Sequence, residues 1–534
     1  MELKNLLFII VSVSCVGKIH SAKILGLFPL AAGSHYSLGN TLMRGLAEAG
    51  HDVTMISPHN DTNPVKNGSY RNVVLTGFVE SYAATMKKIN LFSQQTMNSF
   101  TYLLKFQKAT TALMEKTFQH PNIIELCNSN ETFDVVIVEQ MTSEAFKYFA
   151  YHFKGHLVLF SSVGAESKIN YVVGNPTMVS FTPLIDTDFP RDMTLYQRIY
   201  NFLLYTFEAA VYKYHWLPFL DTLIQKYYPG APSIFDINYN VSLVLVNHHE
   251  SIQESVPLVP NIIPIGGFHV QKPKPLPKDL EEFLNRASEG VIYVSFGSVL
   301  KVENLPVDKK EILIRTFANM KQKILWKWEG DDVDNFPPNV KTAKWLPQRD
   351  VLAHPNVKLF VFPGGLLSLT EAISNGVPIL TMPINADQAT NGQIAVSNGY
   401  GLSITFRDPN FSEEKLTSMI NELLNNSTFK EKAMERSRLF HDREVHPLQK
   451  AVYWIEHIIR HGGSHLKVWG VNLPWYQFYS LDVLGIVVMS VAILLAILCR
   501  IVKVSRKIIC NVTRGNVGNK SKNQHRGSKK MKKH

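Results

Sequence analysis

Near its start the chain passes from one hydrophobic pattern to another at short intervals. Lys23 to Phe28, without a polar residue after Lys23, predicts a buried strand, and Pro29 to Ser37 predicts a loop. Leu38, Leu42 and Leu46 then recur at helical spacing until Gly50 stops the helix, and Val53 to Ser57 predicts a second strand. The same order returns in a strand Phe133 to Glu139, a helix from about Ser143 and a strand Leu157 to Ser161. It returns again as strand Val291 to Phe296, helix Lys309 to Met320 and strand Ile324 to Trp328. A last set is strand Val357 to Phe362, helix Leu366 to Ser374 and strand Pro378 to Met382. Strand-helix-strand units of this kind build parallel sheets covered by helices on both faces.

Between the two groups lies Gln271-Lys272-Pro273-Lys274-Pro275-Leu276-Pro277-Lys278, where each proline removes a backbone donor and disfavours helix before it. A linker at 271–280 therefore separates a first domain, 23–270, from a second, 281–478. The fold class is α/β, with two doubly wound halves facing a cleft at the carboxyl ends of their strands, where ligands are expected. The stretch from about Ser81 to Tyr228 is rich in aromatic residues, among them Tyr196, Tyr200, Phe202, Tyr205 and Phe207, and is read as core and helix packing.

The two ends follow other patterns. Lys4 followed by the apolar run Leu6 to Val16 is the outline of a secretory signal peptide over 1–22, too short to span a bilayer. Val483 to Cys499 is uncharged and apolar with no polar face, and Arg500 can snorkel, so a transmembrane helix is expected at 479–502. After it, residues 503–534 form a basic tail.

Charge refines this picture. The chain has 534 residues, 45% hydrophobic and 19% charged, a balance that excludes collagen, coiled coil and low-complexity chains. Its net charge of +11 belongs to the tail: twelve Lys and Arg from Arg500 onward, with no acid among them, leave the rest one acid in excess. Nucleic-acid binding loses its support, and the basic flank places the tail in the cytosol and the body in the lumen. Lys530 and Lys532 resemble a dilysine retrieval signal of the endoplasmic reticulum. Cys127 is the one cysteine of the body, so no disulfide forms within it. Sequons at Asn60, Asn67, Asn130, Asn240, Asn410, Asn425 and Asn426 fit lumenal surface loops.

From Trp345 the sequence runs WLPQRDVLAHPNVKLFVFPGGLLSLTEAISNGVPILTMPINADQATN, to Asn391. With SHYSLGNTLMRGLAEAGHDVTMISP, FDVVIVEQ, PIGGFHVQKPKPLPKDL and VSFGS, this resembles the UDP-glycosyltransferases, in the form of animal and especially insect membrane-bound enzymes. The resemblance covers nearly the whole chain. It implies the GT-B fold, a UDP-sugar held by the second half, and inverting transfer to small lipophilic hydroxyl compounds, with glucose as the sugar if the insect likeness holds. No metal or other cofactor is implied, and the partners are the UDP-sugar, the acceptor, the membrane and, at most, a second copy of the chain.

The same resemblance assigns roles. Trp345 matches the residue that stacks on uracil, Gln348 one that contacts the nucleoside, and Glu371 the acid that binds the ribose hydroxyls, as suits a flat ring and a charged acceptor. Gly364, Gly365 and Ser368 follow a strand and open a helix, where backbone donors and the helix dipole meet the pyrophosphate. Ser298 matches a phosphate contact, and Asp387 and Gln388 match the pair on the sugar hydroxyls. His35 matches the base that takes the acceptor proton, a task for which imidazole is suited. Its carboxylate partner is an aspartate in many members, whereas this chain offers Glu139 or Glu144, of which Glu139 is preferred because it ends the strand facing the cleft. Where the family has Thr-His-Gly-Gly, this chain has Phe362-Pro363-Gly364-Gly365, and proline supplies neither imidazole nor N–H. The rival reading, drawn from these two departures, is a non-catalytic or weakly active binding protein. His248-His249-Glu250 lacks ligand spacing and is read as a surface or strand-end feature.

Overall fold

The computed structural model describes residues 21–88, 99–141, 143–185, 187–297, 305–330 and 336–528. They fall into two compact units, Met1–Val468 and Trp469–His534. The signal segment and the dilysine motif lie outside the described residues, as does Ser298.

The first unit contains two sheets. One has strands β1 (Lys23–Leu27), β2 (Asp52–Ser57), β3 (Ser69–Val74), β4 (Val135–Glu139), β5 (His156–Ser161), β6 (Val241–Val246) and β7 (Ile262–Pro264), in the order β3-β2-β1-β4-β5-β6-β7. The other has β8 (Val291–Val294), β9 (Lys323–Lys327), β10 (Val340–Ala343), β11 (Val357–Phe362), β12 (Ile379–Thr381) and β13 (Gly401–Ser403), in the order β10-β9-β8-β11-β12-β13. The strand pairs are parallel throughout. The central strands are buried on both faces, as parallel strands under helices must be; β4, Val-Val-Ile-Val-Glu, is buried at all five positions.

In each sheet the strand order reverses once, between β1 and β4 and between β8 and β11. Loops leaving neighbouring strands in opposite directions part there and leave a crevice, the place where such sheets take ligands. The register Leu27↔Val138 sets the end of β1 beside the end of β4. Val361↔Val294 does the same for β11 and β8.

Two boundaries differ from the sequence expectation. The loop expected over Pro29 to Ser37 is cut short by a helix that begins at Gly33 and runs to Glu48. Its first turn carries no apolar repeat, because that turn faces the cleft and not the core. The chain expected to form the second domain, 281–478, sends its last long helix, Pro447–His461, back to the first sheet. Ala451, Ile455 and Ile458 of that helix share a core with Ile24, Leu38, Leu42 and Leu243. The linker enters the helix Lys278–Asn285 at its end, and the Lys274 N–H donates to the Asp350 carboxylate at 2.8 Å, which lays the linker on the second half. Two chain crossings therefore join the halves.

The second unit includes the helix Leu481–Ser528, whose stretch Leu481–Arg514 is long and apolar enough to cross a membrane.

Removing the buried side chain of Ile455 leaves a void between the returning helix and the first sheet. Ile455→Ala is expected to lower stability by about 2–5 kcal/mol, read as a lower Tm of the detergent-solubilised protein; an unchanged Tm would show that the returning helix is not part of that core.

Candidate active site

His35 sits in the first turn of the helix that follows β1, and Glu139 is the last residue of β4. Because β1 and β4 are neighbours at the crevice, the two side chains meet: His35 Nδ1 and Glu139 Oε1 are 2.6 Å apart. A carboxylate accepts, so Nδ1 carries the proton and Nε2 is left with its lone pair. The Glu139 carboxylate is almost fully buried and His35 is 17% exposed, which leaves the ring one edge on the cleft. Burial pulls the His35 pKa down, but the charge of Glu139, its hydrogen bond and the charge of Asp387 outweigh this, and the net shift is upward from 6.5. Ser143 Oγ donates to the Glu139 carbonyl at 2.6 Å and fixes the strand end.

Glu144, the other candidate carboxylate, lies elsewhere. It is fully buried, and its oxygens accept from Trp216 Nε1 at 2.8 Å and Gln140 Nε2 at 2.9 Å. It lies five residues past Glu139, at the start of the buried turn Glu144–Lys147, so Glu139 is the carboxylate that meets His35.

Asp387 belongs to the second half and precedes the helix Gln388–Ser397. Burial raises its pKa, opposed by hydrogen bonds from Asn391 and from backbone amides and by the charge of His35. Asn391 Nδ2 donates to Asp387 Oδ2 at 2.7 Å and to the Gly364 carbonyl at 2.9 Å. One buried amide thus ties the acid to the glycine turn. Asn391 closes the stretch that carries the resemblance, yet nothing in its type marked it out. Ala386 holds a left-handed φ of 53°, rare for a residue with a Cβ, and this turn aims Asp387 inward. Gln388 steadies the same loop, its carboxamide oxygen accepting from the N–H of Ile384 at 2.9 Å and Asn385 at 3.2 Å.

Gly364 has a φ of 101°, and a Cβ there would stand 2.9 Å from the Gln388 carbonyl, so glycine is required. A Cβ on Gly365, just before the helix Leu366–Ser374, would meet nothing within 4 Å, and the helix has no side-chain cap. The first helical N–H, of Leu366, donates to the Asp387 carboxylate, and the room in front of Gly365 at a helix start suits an anion.

A third group lies further along the second sheet. Gln348 Nε2 donates to Ser368 Oγ at 2.9 Å and to Glu371 Oε2 at 2.7 Å, while Tyr293 OH donates to Gln348 Oε1 at 3.3 Å. Burial raises the Glu371 pKa against the hydrogen bond from Gln348 and the charge of Arg349. Trp345 is 72% exposed, a large flat surface with little packed on it. Tyr293, which fixes the Gln348 amide, lies in a strand run and gave no sequence signal.

The cleft also holds a cavity of about 400 Å³, lined by Val163, Phe181 and Tyr205 from the first half and by Asp387, Asn391 and Ile394 from the second. His248 to Glu250 follow β6, at the strand end. Among the described residues no group of three or more His, Cys, Asp or Glu is arranged to hold a metal ion.

A family model described as "UDP-glucoronosyl and UDP-glucosyl transferase" matches residues 22–515. The UDP-glycosyltransferase UGT5 of Dactylopius coccus is 35% identical over 93% of this chain and 94% of its own length. The UDP-glucosyltransferase 2 of the same insect is 30% identical over 91% of this chain and 93% of its own. Among solved structures, the calicheamicin glycosyltransferase CalG4 superposes with a TM-score of 0.56 at 15% identity, over 83% of this chain and 99% of that one, which shows a shared fold. That fold is GT-B.

Glu139 supplies two of the three influences that hold the His35 pKa up. Glu139→Gln is therefore expected to lower that pKa well below its wild-type value, as followed by NMR titration of the ring carbons; an unmoved titration would remove Glu139 as the partner.

Proposed function

The chain belongs to the family of UDP-glucuronosyl and UDP-glucosyl transferases, enzymes that move a sugar from a UDP-sugar to an acceptor, and on that premise we propose that it transfers glucose, with inversion, to small lipophilic compounds bearing a hydroxyl. The observation that carries this reading is the His35–Glu139 pair, 2.6 Å apart at one wall of the cleft, with Asp387 of the other half close enough to raise the same imidazole.

In this reaction the acceptor hydroxyl attacks the anomeric carbon as the bond to UDP breaks, and its proton passes to Nε2 of His35. Glu139 holds the ring in the tautomer that leaves Nε2 free and stabilises the cation once formed. Trp345 stacks on the uracil, Glu371 accepts from the ribose diol, and Gln348 contacts the nucleoside. The amides before Leu366, with Gly364, Gly365 and Ser368, meet the diphosphate as negative charge builds on it, a task for which no metal is required. Ser298 joins them, and Asp387 and Gln388 take the sugar hydroxyls. Glucose is favoured by the likeness to a relative that bears UDP-glucosyltransferase in its name. The apolar walls of the cavity, Val163, Phe181 and Ile394, favour lipophilic acceptors and conjugation of a detoxifying kind.

The chain sits in the reticulum membrane with its body in the lumen. The apolar stretch Leu481–Arg514 and the basic tail favour this, and so do seven sequon asparagines that are all exposed.

Membranes expressing the chain are expected to form a labelled conjugate from radiolabelled UDP-glucose and a phenolic acceptor. His35→Ala should lower kcat by about 10²–10⁴ with UDP affinity little changed; undiminished turnover would rule out His35 as the base.

A second reading rests on Pro363, which removes one donor from the diphosphate site and leaves a slow enzyme. A hydrogen bond to a charged group contributes about 1.5–3 kcal/mol, roughly ten- to a hundredfold in rate. Pro363→His is expected to raise kcat/KM for the donor by that factor, and no gain in steady-state kinetics would mean that the helix amides alone suffice.

A further inference from the structure

One wall of the cavity between the halves is a segment without helix or strand, Phe181 to Ile185. Backbone groups in such a segment need partners where they are covered, and one side chain supplies three of them. Asn201, fully buried in the helix Leu195–Val211, accepts from the Leu184 N–H at 2.9 Å and donates to the carbonyls of Val179 at 2.7 Å and Thr182 at 3.0 Å. Asparagine is a poor helix former, and a buried amide is costly unless it is bonded. These bonds offset that cost, and they make the helix the frame of the segment. The buried side of the helix is accordingly Asn201, Leu204 and Glu208, whereas Leu195, Tyr196, Ile199, Phe202 and Leu203 are each more than half exposed. The aromatic residues of this stretch, expected from the sequence to be core, thus divide: Tyr200 and Phe207 pack on Phe100, while Tyr196 and Phe202 face outward.

The far end of the segment reaches the other half. The Thr187 N–H and hydroxyl both turn back to the Leu184 carbonyl, at 3.0 and 2.7 Å, and the Thr187 carbonyl accepts from Thr390 Oγ1 of the second half at 3.2 Å. Helical threonines commonly return the hydroxyl to the carbonyl four residues earlier, as Thr316 does to Ile312 and Thr370 to Leu366. For Thr390 that residue is Ala386, which lies in the left-handed turn before the helix Gln388–Ser397 begins. The turn that aims Asp387 inward therefore also frees the Thr390 hydroxyl for the other half. Thr390 stands three residues past Asp387 and directly before Asn391, whose amide ties Asp387 to the Gly364 turn.

We propose that Thr390 is a positioning residue through which an acceptor in the cavity sets the grip of Asp387 and Gln388 on the donor sugar, with Asn201 holding the segment that transmits it. The inference rests on the reading of the cavity as the acceptor site and of these two residues as sugar contacts. An acceptor packed on Phe181 to Ile185 holds the segment still. Through the Thr187–Thr390 bond it also holds the start of the helix Gln388–Ser397, so the sugar meets a helix start that has already lost its freedom. The effect is reciprocal, because a donor that orders Asp387 steadies the acceptor wall by the same factor. The His35–Glu139 pair lies outside this link, which concerns the binding of the two substrates and not the proton transfer.

The test is calorimetry on the detergent-solubilised full chain. UDP-glucose affinity is measured alone and with a saturating phenolic acceptor whose hydroxyl is methylated, so that the cavity is filled without reaction. The methylated acceptor is expected to tighten UDP-glucose binding roughly two- to tenfold in the wild type, the worth of one neutral hydrogen bond. That effect is expected to vanish in Thr390→Val, which keeps the shape and loses the hydroxyl, and to return in Thr390→Ser. Equal tightening in the wild type and Thr390→Val, or none in the wild type, overturns the proposal. Hydrogen exchange reads the same link without any ligand: the Leu184 and Thr187 amides are expected to exchange several-fold faster in Thr390→Val, and unchanged exchange overturns the proposal. Transfer of labelled glucose to the free phenol by the wild type is recorded alongside. Its absence counts against the reading of the site and leaves the exchange to decide the link, whereas transfer with equal tightening sinks this inference alone.

Discussion

The contact between His35 Nδ1 and Glu139 Oε1 is the point on which the rest of the molecule converges. It exists because β1 and β4 are neighbours with Leu27 beside Val138, and because the chain leaves the two strands in opposite directions. A one-residue slip of β4 would carry Glu139 to the other face of the sheet and leave the imidazole without a counter-charge. The surrounding burial is what specifies that register: Val136 and Val138 face one core and Val135 and Ile137 the other. Without Glu139, burial would pull the pKa of the imidazole down against the charge of Asp387 alone.

The second half repeats this arrangement with different chemistry. At its crevice, between β8 and β11, the backbone replaces the side chain as the working group: Gly364 turns with positive φ, Asn391 ties its carbonyl to Asp387, and the Leu366 N–H reaches the same carboxylate. The charge of Asp387 also reaches His35, so the two crevices form one electrostatic site across the cleft. Such coupling requires that the halves stay in register with each other. The linker bound by Asp350 and the returning helix Pro447–His461 supply two connections where one would leave a hinge.

Much of this was legible in the sequence, for a physical reason. Strands buried on both faces, such as β4, β8 and β11, are continuous apolar runs, and the helix Leu366–Ser374 is bracketed by Gly365 and Gly376. Strands at or near a sheet edge escaped notice: β3 and β10 are only half-buried and their Ser, Arg, Lys and Thr hide the period, while β13 is three residues long. Glu139 was preferred to Glu144 as the residue that ends a strand facing the cleft, and it is the one that meets His35. Ala386 and Asn391 act through backbone geometry and a tertiary bond, neither of which has a sequence pattern. Periodicity also reports that a helix has two faces without saying which is inside, and for Leu195–Val211 the usual assignment is reversed.

That reversal belongs to a wider feature of the first half. Beneath the cleft, Glu144 is held by Gln140 and Trp216, Lys147 Nζ donates to Asn238 at 2.7 Å, and Tyr212 OH donates to the same Asn238 oxygen at 3.1 Å. Burial pulls the Lys147 pKa down to about 8 against the charges of Glu144 and Glu166, so even this cation is costly to keep. Buried polar networks of this kind add little net stability over apolar packing, and this one leaves Gln140 Oε1 and Asn238 Nδ2 without a partner, so its bonds position Glu144 and Lys147 at a cost. Asn201 and Glu208 extend the same polar interior into the helix Leu195–Val211. On that helix the polar side chains take the inner positions because their partners are there, Ser167 for Glu208 and the Leu184, Val179 and Thr182 backbone for Asn201, and the large apolar side chains are left outward.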